Sequence, residues 1–282
     1  MFDPAAYRAE SRDRWEAAAA GWEARRAEQR RATEPVSQWL VQAVEPQPGQ
    51  TVLDLAAGIG DTGFFAAELI APTGKLITSD GAEAMLEAAR RRADELGIEN
   101  VQFRAMEAEW IDLPTASVDA VVCRWGYMLL ADPEAALRET RRVLRPGGRV
   151  ALAAWDAPDR NPWVSELRAE LLAHGLAAAP DPQAPGMFAF ARDGRIEELL
   201  LDCGFADVEV AAVDIAFTAA AFDDFWEQQF DTSPALKEAL AVATPEQRDA
   251  VHDGLERRLE RWTAADGSVA VPGRSLVAAA SA

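Results

Sequence analysis

Two acids, Asp54 and Asp80, stand beside small residues in a way that could bind a charged ligand. Beyond Asp54 the chain reads Leu55-Ala56-Ala57-Gly58-Ile59-Gly60-Asp61-Thr62-Gly63. Residues this small let backbone approach a ligand closely, and a helix opening at Asp61 would turn its free N–H groups toward it. Read literally, Gly58, Gly60 and Gly63 form the GxGxxG of a dinucleotide loop. Asp80, 22 residues beyond Gly58, would then be the acid on the ribose. Two features oppose that ligand. Asp54 would repel a pyrophosphate but suits a ligand carrying an ammonium and a sulfonium. Asp61 fills the helix start, where phosphates would need free N–H groups.

Other chemistry finds less support. His174 and His252 are the only histidines, both in helical segments, and no His–acid pair is visible to deprotonate a hydroxyl. No catalytic residue is assigned. No H-x-x-x-H or C-x-x-C spacing occurs, so no metal is expected. Arg124-Trp125-Gly126-Tyr127-Met128 follows a strand pattern, and its rings and thioether suit an apolar group. Trp15 and Trp22 share one face of an N-terminal helical segment and could roof a pocket.

Apolar patterning supplies the elements that must position these residues. After Pro46-Gln47-Pro48-Gly49 a strand runs over Thr51–Leu55, and further strands fall at 76–79, 101–103, 118–123 and 149–155. Helices lie between them. One covers 61–70, and the next starts near Ala82 with Leu86, Ala89, Ala93 and Leu96 as its buried stripe. A third follows Asp132-Pro133, an N-cap and a first-turn proline. Such alternation predicts an α/β fold with a mostly parallel, doubly wound sheet covered on both faces. Residues 4–32 read as a helix pair or one long helix. The C-terminal half is less regular: Pro- and Ala-rich over 157–190, helical over 193–202, strand-like over 208–217 and helical over 221–263. A last strand over 269–282 is broken at Pro272-Gly273, and it is expected to form an antiparallel pair with its predecessor.

Composition narrows the partners. The 282 residues are 49% hydrophobic and 27% charged, which is a globular balance. A formal net charge of −19 opposes nucleic acid, whose phosphates need clustered Lys and Arg. No apolar run reaches bilayer length, and the N-terminus lacks a signal-peptide core. Two cysteines, Cys123 and Cys203, build no disulfide framework, so a cytoplasmic setting is expected.

In this order and spacing the motifs resemble those of the class I S-adenosylmethionine-dependent methyltransferases, in the type 11 branch of the ubiquinone and menaquinone biosynthesis enzymes. The likeness covers residues 36–156 and, more weakly, the two terminal strands. Leu113-Pro114 through Arg124-Trp125 resembles the family's fourth-strand motif, and Leu144-Arg145-Pro146-Gly147-Gly148 its turn into the fifth strand. The resemblance implies a Rossmann-like sheet of seven strands with an antiparallel last strand, and S-adenosylmethionine as cofactor. It implies that Asp54, Ala56, Gly58 and Gly60 hold the methionine part and that Asp80, with Gly81, takes the ribose hydroxyls. Met85 would lie against adenine. Glu107-Ala108 would meet the adenine amino group, Glu107 standing where the family has Asp and reaching one carbon further. Arg124 joins the cofactor set by its place in the fourth-strand motif.

The implied layout is an N-terminal helical lid over 1–35, a cofactor-binding core over 36–156, and the rest of the sheet over 157–282. Lid insertions at 157–190 and 221–263 would close an acceptor chamber lined by Trp22, Trp125, Met128 and Phe188. Neither cysteine follows a proline, and Asn161-Pro162-Trp163 comes after the fifth strand, so the motifs of nucleobase methylation are missing. The implied activity is methyl transfer to O, N or C of a small acceptor, apolar or aromatic in character. Two alternatives stay open: an S-adenosylmethionine-binding relative with non-methylating chemistry, and an NAD(P)-dependent oxidoreductase.

Overall fold

The structure, a computed structural model, describes residues 2–179 and 184–282. Residues 180–183, inside the second expected lid segment, lie outside the described residues. Strands β1 (Thr51–Leu55), β2 (Lys75–Asp80), β3 (Val101–Ala105), β4 (Val118–Arg124), β5 (Leu144–Trp155), β6 (Ala206–Ala219) and β7 (Val269–Ser281) form one sheet in the order β3-β2-β1-β4-β5-β7-β6. The first five run parallel, and β7 is antiparallel to both its neighbours. This is the Rossmann-like sheet with an antiparallel last strand that the sequence predicts.

The strands are apolar because both faces are covered. Val52, Leu53, Val121, Val122 and Val150 are fully buried. Helices α3 (Asp61–Ile70), α4 (Glu83–Leu96) and α5 (Pro133–Val143) supply part of that cover. Asp132 caps α5 as expected, its carboxylate accepting from Ala135 N at 2.8 Å. On α4 the stripe holds at Leu86, Ala89 and Ala93 but fails at Leu96, which is 44% exposed. Leu96 is the last residue of the helix, before the left-handed cap at Gly97.

The N-terminal segment is a helix pair, α1 (Pro4–Ala24) and α2 (Arg26–Ala43), broken at Arg25. α2 continues without a break through residues 35 and 36. α1 buries only Ala18 and Ala19 and is held mainly by polar contacts, whereas α2 buries Val36, Leu40 and Val41. Further helices are α6 (Pro162–Ala173), α7 (Arg195–Asp202), α8 (Phe222–Thr232), α9 (Pro234–Val242) and α10 (Pro245–Leu259).

Two readings of the C-terminal half change. α6 is a regular helix inside the Pro- and Ala-rich segment, opened by Pro162 at its first turn. β7 is continuous through Pro272-Gly273. Pro272 pairs with Ala216 of β6, while the β5 ladder stops at Trp155 opposite Ser275. The missing N–H therefore deprives β5 of nothing.

Candidate active site

The loop from β1 into α3 is bent by three left-handed residues, Ala56 (φ 53°), Gly58 (φ 55°) and Gly60 (φ 87°). Glycine is required at Gly60, where a Cβ would stand 2.5 Å from the Phe64 ring. At Gly58 a Cβ would meet nothing within 4 Å, so the loop backbone faces open space there. Asp80 at the end of β2 braces the loop. One of its carboxylate oxygens accepts from Gly58 N at 2.8 Å and the other from Ala82 N at 2.9 Å. Each oxygen keeps a second lone pair for a ligand hydroxyl.

Asp54 lies beneath the loop, 1% exposed, and accepts from Gly63 N at 2.8 Å. Burial pushes its carboxyl up to about 7 and that of Asp80 up to about 6. The cation that acts on Asp54 is Arg124, at the end of β4 and largely buried, which burial pulls below the usual guanidinium range. Arg124 donates to Thr33 Oγ1 on α2, stands 4.0 Å from the Asp61 carboxylate and lies over the Trp125 ring at 4.9 Å. Sequence reasoning placed Arg124 but missed Thr33 and the pairing of Asp61 with Arg124.

α1 roofs the loop. Met85 is 2% exposed and packs with Ala18 and Ala19 of α1 and with Ile59 of the loop, while Trp15 and Trp22 cover the cluster. Trp22 donates from Nε1 to the Thr232 carbonyl at 3.0 Å, which ties α1 to the end of α8. Glu16 of α1 accepts from Glu83 N at 2.6 Å and Ala84 N at 2.8 Å, so it caps α4 from outside. No local motif announces that cap, because the helix and its acid are 67 residues apart. Glu107 pairs with Arg12 of α1 at 3.3 Å and faces Gly81, where a Cβ would be 3.4 Å from its carboxylate. Ala108 beside it is buried. Asp54, Ala56, Gly58, Gly60, Asp80, Gly81, Met85, Glu107 and Ala108 are thus gathered at the carboxyl ends of β1 to β3.

The residues expected against an acceptor are more scattered. Trp22 is on the roof. Trp125 holds an unusual left-handed backbone (φ 62°), stacks on Trp155 at 4.1 Å and donates from Nε1 to Ser275 Oγ at 3.0 Å. Trp163 and Phe217 extend that stack. Met128 is 2% exposed. The segment carrying the half-buried Phe188 crosses over it, with Gly186 N donating to the Met128 carbonyl at 3.0 Å.

The structure does bring each histidine to an acid, which the sequence did not reveal. His174 is 3.6 Å from Glu170, and His252 is 3.3 Å from Asp223. His252 also sits edge-on to Phe222 and Trp226, on the α8 face that turns toward α10. Asp224 and Gln228 lie on the opposite face, toward α2.

Residues 46–180 match a family described as a methyltransferase domain. The chain is 30% identical over 206 residues to the arsenite methyltransferase of Halobacterium salinarum, covering 73% of this chain and 48% of that protein. It is 29% identical over 234 residues to the nocamycin O-methyltransferase of Saccharothrix syringae, covering 80% and 83%. Over 119 residues it is 37% identical to the ubiquinone/menaquinone biosynthesis C-methyltransferase UbiE of Hahella chejuensis, covering 42% and 47%. The chain thus spans about half the length of the arsenite and quinone relatives. Among solved structures, the YcgJ protein of Bacillus subtilis shares the fold with a TM-score of 0.58 at 20% identity, over 87% of this chain and 97% of that one.

Proposed function

The chain belongs to the class I S-adenosylmethionine-dependent methyltransferases, and from that premise we propose that it moves the cofactor's methyl group to O, N or C of a small-molecule acceptor. The observation that carries this reading is Asp80, braced on Gly58 N and Ala82 N beside a loop that faces open space. That arrangement fits a ribose on the carboxylate and a small backbone cradle next to it. In this reading Asp54, Ala56, Gly58, Gly60 and Arg124 receive the methionine part of the cofactor. Asp80 and Gly81 take the ribose, and Met85, Glu107 and Ala108 surround the adenine.

Bound there, S-adenosylmethionine supplies an electrophilic methyl carbon on a sulfonium that leaves as a neutral thioether. The protein's part is to align and to exclude water. Asp54 and Asp80 supply negative charge to a cationic ligand, and the α1 roof with Trp15 and Trp22 keeps solvent out. The His174–Glu170 pair lies at the end of α6, the His252–Asp223 pair lies between α8 and α10, away from the glycine loop, and Asp54 is engaged with Gly63 N. The acceptor therefore brings its own nucleophile, such as an amine, a thiolate, an acidic hydroxyl or a stabilised carbanion. An apolar or aromatic body is supported by the half-buried Phe188 and by the half-buried Trp163, which packs on the buried Trp125–Trp155 stack. A cytoplasmic setting accords with two buried free cysteines and with the absence, among the described residues, of any helix apolar enough to cross a membrane.

Incubation with S-adenosylmethionine labelled in its methyl group and a panel of phenols, amines and thiols tests the reading. Label should move into one acceptor class with equal release of S-adenosylhomocysteine. Cofactor that binds and keeps its methyl group across the whole panel would count against it.

A further inference from the structure

A seam of buried polar residues runs along α2 and is not explained by the cofactor loop. The partly exposed Arg25, at the break before α2, and the buried Gln29, Thr33 and Ser37 recur every four residues along one side of it. Ser37 meets Thr62 Oγ1 at 3.0 Å, Thr33 accepts from Arg124, and Arg25 donates to Asp231 and Glu227 of α8 at 2.6 and 3.1 Å. Gln29 differs. It is 7% exposed, yet its amide has no hydrogen-bond partner among the described residues. α8 repeats the anomaly with Gln228, 6% exposed and equally without a partner for its amide among the described residues.

Gln228 lines a cleft of ≈ 390 Å³ between α2, the end of β6 and α8, together with Arg25, Glu28, Arg31, Thr218 and Asp224. A rise of about 1.5 Å per residue sets Gln29 about 6 Å from Arg25 on the cleft wall and about 6 Å from Thr33, which touches Arg124 beside the loop. The seam therefore leads from the cleft to the cofactor loop. Both glutamines are more than nine-tenths buried and their amides make no hydrogen bond among the described residues, yet neither amide is sealed from solvent, so both are free to bond a ligand in the cleft.

We propose that this cleft is the acceptor subsite and that Gln29 and Gln228 hold a neutral hydrogen-bonding group of the acceptor, a carbonyl flanked by N–H or O–H. The inference rests on the methyltransferase reading. A primary amide offers a donor and an acceptor side by side, the complement of such a group. The wall carries two arginines and two acids, Glu28 and Asp224, and Arg25 is already engaged by Asp231 and Glu227, so the cleft has no net positive charge to favour a carboxylate.

The test is equilibrium binding of 2-naphthamide, 2-naphthoate and 2-ethylnaphthalene to the protein saturated with S-adenosylhomocysteine. The amide should bind about tenfold more tightly than the ethyl compound, the worth of one or two hydrogen bonds. That advantage should vanish in Gln29→Leu and in Gln228→Leu, while affinity for S-adenosylhomocysteine stays within about twofold. Both variants should keep the Tm within about 2 °C, because neither amide bonds another part of the fold. A lower Tm in both would mark the amides as structural and overturn the inference. Equal binding of the three probes, or tightest binding of the naphthoate, would overturn it as well. Failure of the wild-type protein to bind S-adenosylhomocysteine would sink the methyltransferase reading itself, whereas cofactor binding without the amide preference sinks the inference alone.

Discussion

Asp54 is buried and Asp80 partly buried, and the loss of solvent pushes their carboxyls up to about 7 and about 6. In an unfolded chain both would titrate near about 4. Both folded values are raised, so the stability gained by holding these protons is full below about pH 4 and lost as pH rises through about 6 and about 7. A sulfonium and an ammonium favour the ionised forms, so cofactor binding should strip the protons. The thermal shift given by a fixed concentration of S-adenosylmethionine should grow from about pH 5 to about pH 7. A shift that does not change over that interval would remove both acids from the cofactor's surroundings. Ala56 offers a second test at this scale. Its φ of 53° is a conformation that suits glycine. Ala56→Gly should stabilise the protein by about 0.5–1 kcal/mol and raise the Tm by about 2 °C; a lower Tm would show that the methyl group is needed for packing. Asp54 and Asp80 were legible in the sequence because their spacing to the glycines is local. Thr33 with Arg124 was not, because the pair joins positions 91 residues apart.

α1 is an element whose docking is mostly polar. Glu16 caps α4, Glu23 pairs with Arg91 at 2.7 Å, and Arg14 pairs with Glu238 of α9 at 3.0 Å. Gly21 lies so close to α8 that a Cβ there would run into the Asp231 carbonyl oxygen. Exposed pairs contribute little each, so the cap is the contact to remove. Glu16→Ala should cost about 1 kcal/mol and speed hydrogen exchange in α1 and the first turn of α4, leaving β1, β2 and β4 unchanged. Faster exchange across the whole sheet would mean that α1 is part of the cooperative core. The strands and helices of residues 51–155 were readable because period and punctuation agree there. α6 was hidden by proline and alanine, which are as common in loops. β7 looked broken because a proline in the sequence does not say which neighbour would have received its N–H.

At the scale of the whole molecule, one sheet with β7 between β5 and β6 brings the ends of the first five strands to one edge, where the loop, Asp80 and Glu107 meet. The fold class could be read from alternation alone, and the clustering of the two acids with the glycine loop from their intervals in the sequence. The acceptor side could not. The walls proposed for it come from α2, α8 and the end of β6, elements joined by tertiary packing rather than by spacing. Trp125 and Met128, the residues an aromatic pattern suggested, present little free surface in the structure.

The most direct test of the central claim is calorimetric titration of the purified protein with S-adenosylmethionine, S-adenosylhomocysteine and NAD(H), beside an Asp80→Ala variant. Both S-adenosyl ligands should bind with a Kd of about 1 μM or better, NAD(H) should not bind, and the variant should lose about 30-fold or more in affinity with its charged hydrogen bonds to the ribose. Binding of NAD(H) alone, or S-adenosyl binding indifferent to Asp80→Ala, would contradict the account.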